Sequence, residues 1–144
     1  MQPGVHKMIN KMKAVIEQVD PESLTHLEEM DIMFMDFAYR WVACYLTREF
    51  NLYHIIRIWD TYLSEDEGFS QFHCYVCAAL FLHYAPELKN MEYQDCIMFL
   101  QNLPTADWTE QDLDMLLSKS FELKSLYHYN SHLTNTNQQQ AQMV

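Results

Sequence analysis

Apolar residues recur at three- and four-residue steps along most of the chain, which is the spacing that places side chains on one face of an α-helix. The sequence contains only 2 glycines and 4 prolines, too few for the many tight turns of a sheet protein. No run of residues alternates strictly between apolar and polar types. The pattern therefore predicts an all-α domain of six or seven helices that pack around a shared core.

Polar residues and prolines mark the predicted helix ends. Asp20 directly before Pro21 is typical of an N-cap followed by the first helical position. Thr109 with Asp112 three residues later predicts a capping box at the start of the last helix. A stripe from Phe34 to Tyr45 is predicted to start near Asp31, and the stripe from Phe72 to Leu80 is predicted to end at Pro86.

The composition changes near residue 130. A chain of 144 residues has the length of one domain, and residues 1–129 carry the helical stripes. Residues 130–144 are mostly Asn, Thr and Gln, with three consecutive glutamines from Gln138 to Gln140. Such a segment has too little apolar surface to order itself, so the sequence predicts a disordered polar tail there.

The charge of the chain bears on its partners. The formal net charge is -11, and phosphate backbones repel such a chain, so nucleic acid is not expected as a partner. The acidic run Glu65-Asp66-Glu67 lacks the ligand spacing of a calcium loop and is interpreted as a flexible surface loop. The longest nearly apolar stretch, 74–82, is too short to span a bilayer, and no secretory signal is recognised.

Cys74 and Cys77 form a C-x-x-C pair beside His73. A structural zinc site needs about four ligands, usually from a second paired motif, and a redox pair is usually found at a strand-to-helix turn. Neither context is present, since Cys44 and Cys96 are isolated. The favoured interpretation is buried, reduced thiols in a cytosolic protein, with metal and redox sites as the alternatives.

The three arginines of the protein lie close together among tryptophans and acidic residues. The candidate site residues of this segment are Arg40, Trp41, Arg48, Glu49, Arg57, Trp59 and Asp60. Arg57 and Asp60 are three residues apart, within reach of an ion pair on one helix face. Arginine is preferred over lysine where planar, bidentate contacts with carboxylates matter. This segment is interpreted as a polar network at a helix–helix interface, with direct contact to a partner as the alternative.

The same residues carry a resemblance to a known family. The motifs are Phe37-Ala38-Tyr39-Arg40-Trp41, Leu46-Thr47-Arg48-Glu49-Phe50 and Arg57-Ile58-Trp59-Asp60-Thr61-Tyr62-Leu63-Ser64-Glu65. Gln2-Pro3-Gly4-Val5, Phe72-His73, Tyr75-Val76-Cys77-Ala78-Ala79, Phe99-Leu100-Gln101-Asn102-Leu103-Pro104-Thr105 and Trp108-Thr109-Glu110 match further stretches. In this order the motifs resemble the C-terminal half of a TBC domain, most closely in the Golgi-associated branch of Ypt- and Rab-directed GTPase-activating proteins.

The resemblance implies a function without an active site of its own. TBC domains accelerate GTP hydrolysis by Rab proteins with an arginine from an I-x-x-D-x-x-R motif and a glutamine from a Y-x-Q motif. In the family both motifs precede the Gln-Pro-Gly stretch. Asp36 is followed by Arg40 at four residues instead of three, and Tyr93 and Gln94 are adjacent, so neither pair qualifies. The expectation is a regulator fragment with no catalytic finger, no metal and no cofactor, since GTP and Mg²⁺ belong to the Rab.

The resemblance also implies roles and partners. The seven candidate residues would support the groove that receives the Rab. The expected partners are a Rab-family small GTPase and either the N-terminal half of the TBC domain or a second copy that covers the same face. The expected location is the cytoplasm, peripheral at the Golgi or other endomembranes. The alternative function is a non-catalytic helical module that binds a Rab or serves as an adaptor.

Overall fold

The computed structural model describes residues 3–143, and within them the chain forms seven α-helices and no β-strand. The helices are α1 (Pro3–Val19), α2 (Pro21–Glu29), α3 (Phe34–Ala43), α4 (Leu52–Leu63), α5 (Phe69–Leu88), α6 (Tyr93–Gln101) and α7 (Glu110–Gln142). The predicted all-α class is confirmed. Gln2 of the Gln-Pro-Gly stretch lies outside the described residues.

Helix α5 forms the centre of the fold. It is buried around almost its whole circumference between Phe72 and Ala85, as expected for a helix that is apolar on every face. Helices α1, α3, α4 and α7 pack around it. Its small residues Cys77, Ala78 and Ala79 are at most 1% exposed and allow the neighbouring helices to approach closely.

The predicted caps at two helix starts are confirmed. The Asp20 side chain accepts a hydrogen bond from the amide of Ser23, and Pro21 occupies the first turn of α2. Thr109 and Asp112 form the reciprocal capping box of α7. These contacts satisfy amide groups that have no partner inside a helix.

Two predicted helix ends differ from the structure. Helix α5 continues through Pro86 to Leu88, because an exposed proline this close to the helix end removes only one of the last backbone donors. The stripe expected to begin near Asp31 begins at Phe34. Asp31 has a left-handed φ of 57°, which is incompatible with a continuous helix.

Most of the polar tail, for which the sequence predicts disorder, lies in the C-terminal part of α7. Helix α7 continues without interruption to Gln142, and the hydroxyls of Ser131, Thr134 and Thr136 bond to carbonyls four residues earlier. All of these bonds are local to the helix. The expected lack of burial is observed, since every described residue after Asn130 is exposed.

Among the described residues, no helix is both long enough and apolar enough to cross a bilayer.

Candidate functional site

The candidate residues predicted from the sequence separate into two environments. Four of them belong to a network around the turn 44–50, which joins α3 to α4: Arg40, Trp41, Glu49 and Trp59. The other three, Arg48, Arg57 and Asp60, are exposed. The seven candidate residues therefore do not form a single site.

Arg40 and Glu49 form the ionic core of the network. The Arg40 Nε donates to Glu49 Oε1 at 2.9 Å, and its Nη2 donates to the carbonyl oxygen of Gln101 at 2.8 Å. The Glu49 side chain is 1% exposed and that of Arg40 is 32% exposed. This arginine thus joins the C-terminal parts of α3 and α6 to the turn 44–50.

Burial and charge act on Glu49 in opposite directions. Its burial raises the carboxyl pKa, while the neighbouring Arg40 and Arg48 guanidinium groups lower it, and the net shift is upward. The second carboxylate oxygen, Oε2, has no hydrogen-bond partner among the described residues. The backbone carbonyl of Glu49 accepts a hydrogen bond from the Thr105 hydroxyl. A buried carboxylate with one partner depends strongly on that partner.

The turn 44–50 contains two consecutive residues with left-handed backbone conformation. Tyr45 and Leu46 have φ values of 50° and 65°, which are rare outside glycine. The Leu46 amide donates to the Trp41 carbonyl at 3.0 Å, and the indole Nε1 of Trp59 donates to the Tyr45 carbonyl at 3.2 Å. Trp41 and Leu46 are fully buried. The turn is therefore held in its unusual conformation from both sides.

A buried histidine lies beneath this turn. His73 Nε2 lies 3.1 Å from the carbonyl oxygen of Val42, so that nitrogen carries the proton, and Nδ1 accepts from the Tyr62 hydroxyl at 2.8 Å. The Tyr45 ring stacks on the imidazole at 4.4 Å. Burial lowers the pKa of His73 to about 4, so the imidazole is neutral near pH 7.

The role of His73 is not predicted from the sequence, where this residue stands out only as a neighbour of the C-x-x-C pair. The available signal was a single histidine inside an otherwise apolar run of helix α5, followed four residues later by Cys77, whose sulfur lies 3.6 Å from His73 Nε2. That signal indicates a buried polar contact but does not identify its partners.

The prediction that the C-x-x-C thiols are buried is confirmed. Cys74 and Cys77 are at most 1% exposed, and all four cysteines are free. Burial raises the pKa of Cys74 to about 11 and that of Cys77 well above its ordinary value. Among residues 3–143 no group of three or more His, Cys, Asp or Glu side chains could hold a metal ion. These thiols are core residues with very little thiolate character.

Arg57 does not pair with Asp60, although the two residues lie within reach of an ion pair along α4. Its guanidinium donates instead to Asp114 of α7 and to Thr61, both at 3.0 Å. The side chains of Arg57 and Asp114 are 48% and 62% exposed. Asp60 lies on the outward face of α4, where solvation competes with a pair inside the helix, while α7 offers a carboxylate directly opposite Arg57.

The outward face of α4 is apolar as well as charged. Leu52, Ile56 and Leu63 share this face at helical spacing and are 76%, 52% and 74% exposed. The α4 residues that face the core are instead Ile55, Ile58 and Tyr62. We call the three exposed residues and the neighbouring Asp60 the α4 outer face, and Arg57 lies at the edge of this face toward α7.

Two side chains of the acidic run Glu65-Asp66-Glu67 lie within ion-pair distance of residues on α7. Lys124 Nζ lies 2.8 Å from Glu65 Oε2, and the Glu65 side chain is only 10% exposed. His128 Nε2 lies 3.2 Å from Glu67 Oε1. The interpretation of this run as a flexible surface loop is therefore wrong for Glu65, because α7 supplies a cation at the right position.

Comparison with known proteins identifies the family. The sequence model of the Rab-GTPase-TBC domain matches residues 1–89, which is the chain as far as the end of α5. The chain belongs to this family.

Individual relatives agree with this assignment. The GTPase-activating protein gyp1 of Schizosaccharomyces pombe is 43% identical over 127 residues, covering 88% of this chain and 25% of the relative. Human TBC1 domain family member 22A is 40% identical over 124 residues, covering 85% of this chain and 24% of the relative. The crystal structure of the Ypt/Rab-GAP domain of Gyp1p superposes with a TM-score of 0.82 at 42% identity, over 87% of this chain and 39% of that chain. The chain spans about a quarter of the length of these curated relatives.

Proposed function

We propose that this chain is part of a GTPase-activating protein for Rab-family small GTPases, in which it supports hydrolysis catalysed by arginine and glutamine fingers located elsewhere. The observation that carries the proposal is the 0.82 TM-score to a Ypt/Rab-GAP domain at 42% identity. The relatives include the GTPase-activating protein gyp1 of S. pombe, at 43% identity. GTP and Mg²⁺ are expected to be held by the Rab, and this chain needs neither.

The Arg40 network supports a positioning role. An arginine finger acts at its target oxygen only if the surrounding helices hold it within a fraction of an ångström. Arg40 connects α3, the turn 44–50 and α6 through two short hydrogen bonds. In our proposal this connection fixes the relative positions of the helices that support the finger-bearing part of the domain.

The α4 outer face supports a contact role. Arg57 lies at the edge of its exposed leucine and isoleucine side chains, and the Arg57 side chain remains half exposed. Apolar residues next to an arginine are typical of the centre of protein–protein interfaces. We propose that this face lines the groove that receives the Rab, and that the chain acts in the cytoplasm at the Golgi or other endomembranes.

A chimera tests the proposal. Residues 3–127 of this chain would replace the aligned segment of S. pombe gyp1, and single-turnover GTP hydrolysis would be measured with a panel of Rab proteins. We expect the chimera to accelerate hydrolysis by at least a hundredfold with its preferred Rab. The isolated chain, confirmed as helical by circular dichroism, should cause no acceleration.

Two outcomes would contradict the proposal. Acceleration by the isolated chain would mean that one of its own arginines reaches the nucleotide. A folded chimera without activity toward any Rab that the parent accelerates would mean that this chain does not provide the supporting half.

The α4 outer face can be tested in the same chimera. Ile56→Asp should raise the KM for the Rab strongly, while Leu126→Asp, on α7 and away from α4, should leave this KM unchanged.

A further inference from the structure

The C-terminal part of α7 extends from the body as a single helix. Every described residue after Asn130 is exposed, and the helix continues to Gln142. This stretch is on the order of 18 Å long at 1.5 Å per residue. An isolated polar helix of this length is marginal in water. Because α7 has no break, the stretch also cannot fold back onto the body of its own chain.

The exposed large apolar residues from Leu126 to Met143 share a heptad seam. Leu126, Tyr129, Leu133 and Met143 are 41%, 63%, 47% and 85% exposed. Their spacings are three, four and ten residues, which correspond to alternating a and d positions of a heptad repeat. The seam positions between Leu133 and Met143 are the small polar Thr136 and the uncharged Gln140. We call these six residues the α7 seam.

Charge indicates what kind of helix can pair with the seam. The chain has a net charge of -11, yet the sequence from Ser125 to Val144 contains no Asp, Glu, Lys or Arg. The same segment of a second copy can therefore pack against this segment without repulsion between like charges. A strongly charged partner helix would instead leave its own charges without counterparts at the flanking positions.

We propose that the α7 seam binds the same seam of a second copy of this chain, which forms a two-stranded coiled coil. The paired segment is about 27 Å long, from Leu126 to Met143. This is short, and Thr136 and Gln140 contribute little apolar area, so the contact belongs to the weak, reversible class of interfaces. A dissociation constant on the order of 10 to 100 μM is expected. The proposal does not depend on the proposed function.

Leu133 is the residue to test, because it lies near the middle of the seam. It meets its own counterpart in a parallel pair and also in an antiparallel pair centred on it. Gln138 lies on the same exposed stretch of α7 but at an outward f position, five residues further along. Leu133→Asp and Gln138→Asp add the same charge to the same unsupported helix, so they form a matched pair.

Sedimentation equilibrium of the full chain between 5 and 500 μM, roughly bracketing the expected dissociation constant, tests the proposal. Wild type and Gln138→Asp should convert from monomer to dimer over this range, and Leu133→Asp should shift the dissociation constant by at least tenfold. A wild type that stays monomeric throughout would overturn the proposal. Association that persists unchanged in Leu133→Asp would also overturn it and would place the contact elsewhere, such as on the α4 outer face.

Cross-linking gives an independent measurement. Under mild oxidation Leu133→Cys should form an interchain disulfide much faster than Gln138→Cys, and the native Cys44, which is half-buried, gives the same background in both variants. Equal rates for the two variants would contradict the proposal. Neither position is buried, so both variants should retain the melting temperature of the body, which circular dichroism would verify.

Discussion

Two arginines precede tryptophans on consecutive helices, and the structure places them in contrasting surroundings. Arg40 pairs with a carboxylate that is 1% exposed, and Arg57 pairs with one that is 62% exposed. Trp41 is fully buried, whereas Trp59 is partly buried and donates to the turn 44–50. Similar sequence patterns therefore produce one ion pair whose carboxylate is buried between helices and one ion pair that lies on the protein surface.

The difference follows from desolvation. A charge removed from water needs its partner, so breaking a buried pair is costly, while an exposed pair competes with water and salt. The Arg40 region is expected to contribute mainly to stability and geometry. The Arg57 region is expected to contribute mainly to recognition.

The largest effect is expected for Arg40→Ala. It leaves the buried Glu49 carboxylate without its hydrogen-bonded cation and the Gln101 carbonyl without this donor, so the free energy of unfolding should fall by about 3 to 4 kcal/mol. Urea denaturation measures this change. Adding Glu49→Gln to the Arg40→Ala variant should recover part of the loss, because the neutral amide tolerates burial better. A loss below about 1 kcal/mol would show that the two regions do not differ as argued.

Acid should weaken the same region through His73. Its folded-state pKa of about 4 lies below the ordinary value of 6.5, so the unfolded state takes up the proton first. Stability is then complete above pH 6.5 and is lost as the pH falls toward 4, by about 3 kcal/mol in total.

Two groups that contact the His73 imidazole, Tyr62 and Cys77, do not share this titration. Burial raises the pKa values of Tyr62 and Cys77 well above their ordinary values, so both remain neutral in this window. Thermal unfolding of wild type and His73→Gln from pH 7 to 4 isolates the contribution. A parallel pH dependence in both proteins would exclude His73 as its source.

A smaller effect is expected for Trp59→Phe. The change removes the indole hydrogen bond to the Tyr45 carbonyl and should lower the free energy of unfolding by about 1 kcal/mol. Hydrogen exchange locates the change: amides of the turn 44–50 should exchange faster, and those of α7 near Asp114 should not. Uniformly faster exchange would mean that Trp59 supports the whole core instead of the turn.

The smallest effect on stability is expected for Arg57→Ala. Its exposed pair with Asp114 should be worth about 0.5 kcal/mol or less, and less still at high salt. In the chimera with gyp1, however, the same change should lower kcat/KM for Rab-stimulated hydrolysis. If both kcat/KM and the melting temperature are unchanged, Arg57 has no part in activation.

The sequence predicted the parts of the fold that depend on near neighbours. Asp20 and Thr109 were identified as helix starts because a cap is formed by residues three positions apart. The burial of the Cys74 and Cys77 thiols was also predicted, because they lie in an apolar run and the sequence has no second pair of metal ligands. The family motifs from Phe37 to Asp60 were also recognised from the sequence, because each motif is a continuous run of residues.

Tertiary structure decided which partner each polar group meets. Arg57 pairs with Asp114 across 57 residues instead of with Asp60, and Lys124 meets Glu65 across 59 residues. Likewise, only packing decides that His73 lies between Tyr62 and Val42. Local spacing determines helix faces and caps because those contacts lie within one turn. Pairings between helices depend on how whole faces are buried together, and no short segment of the sequence contains that information.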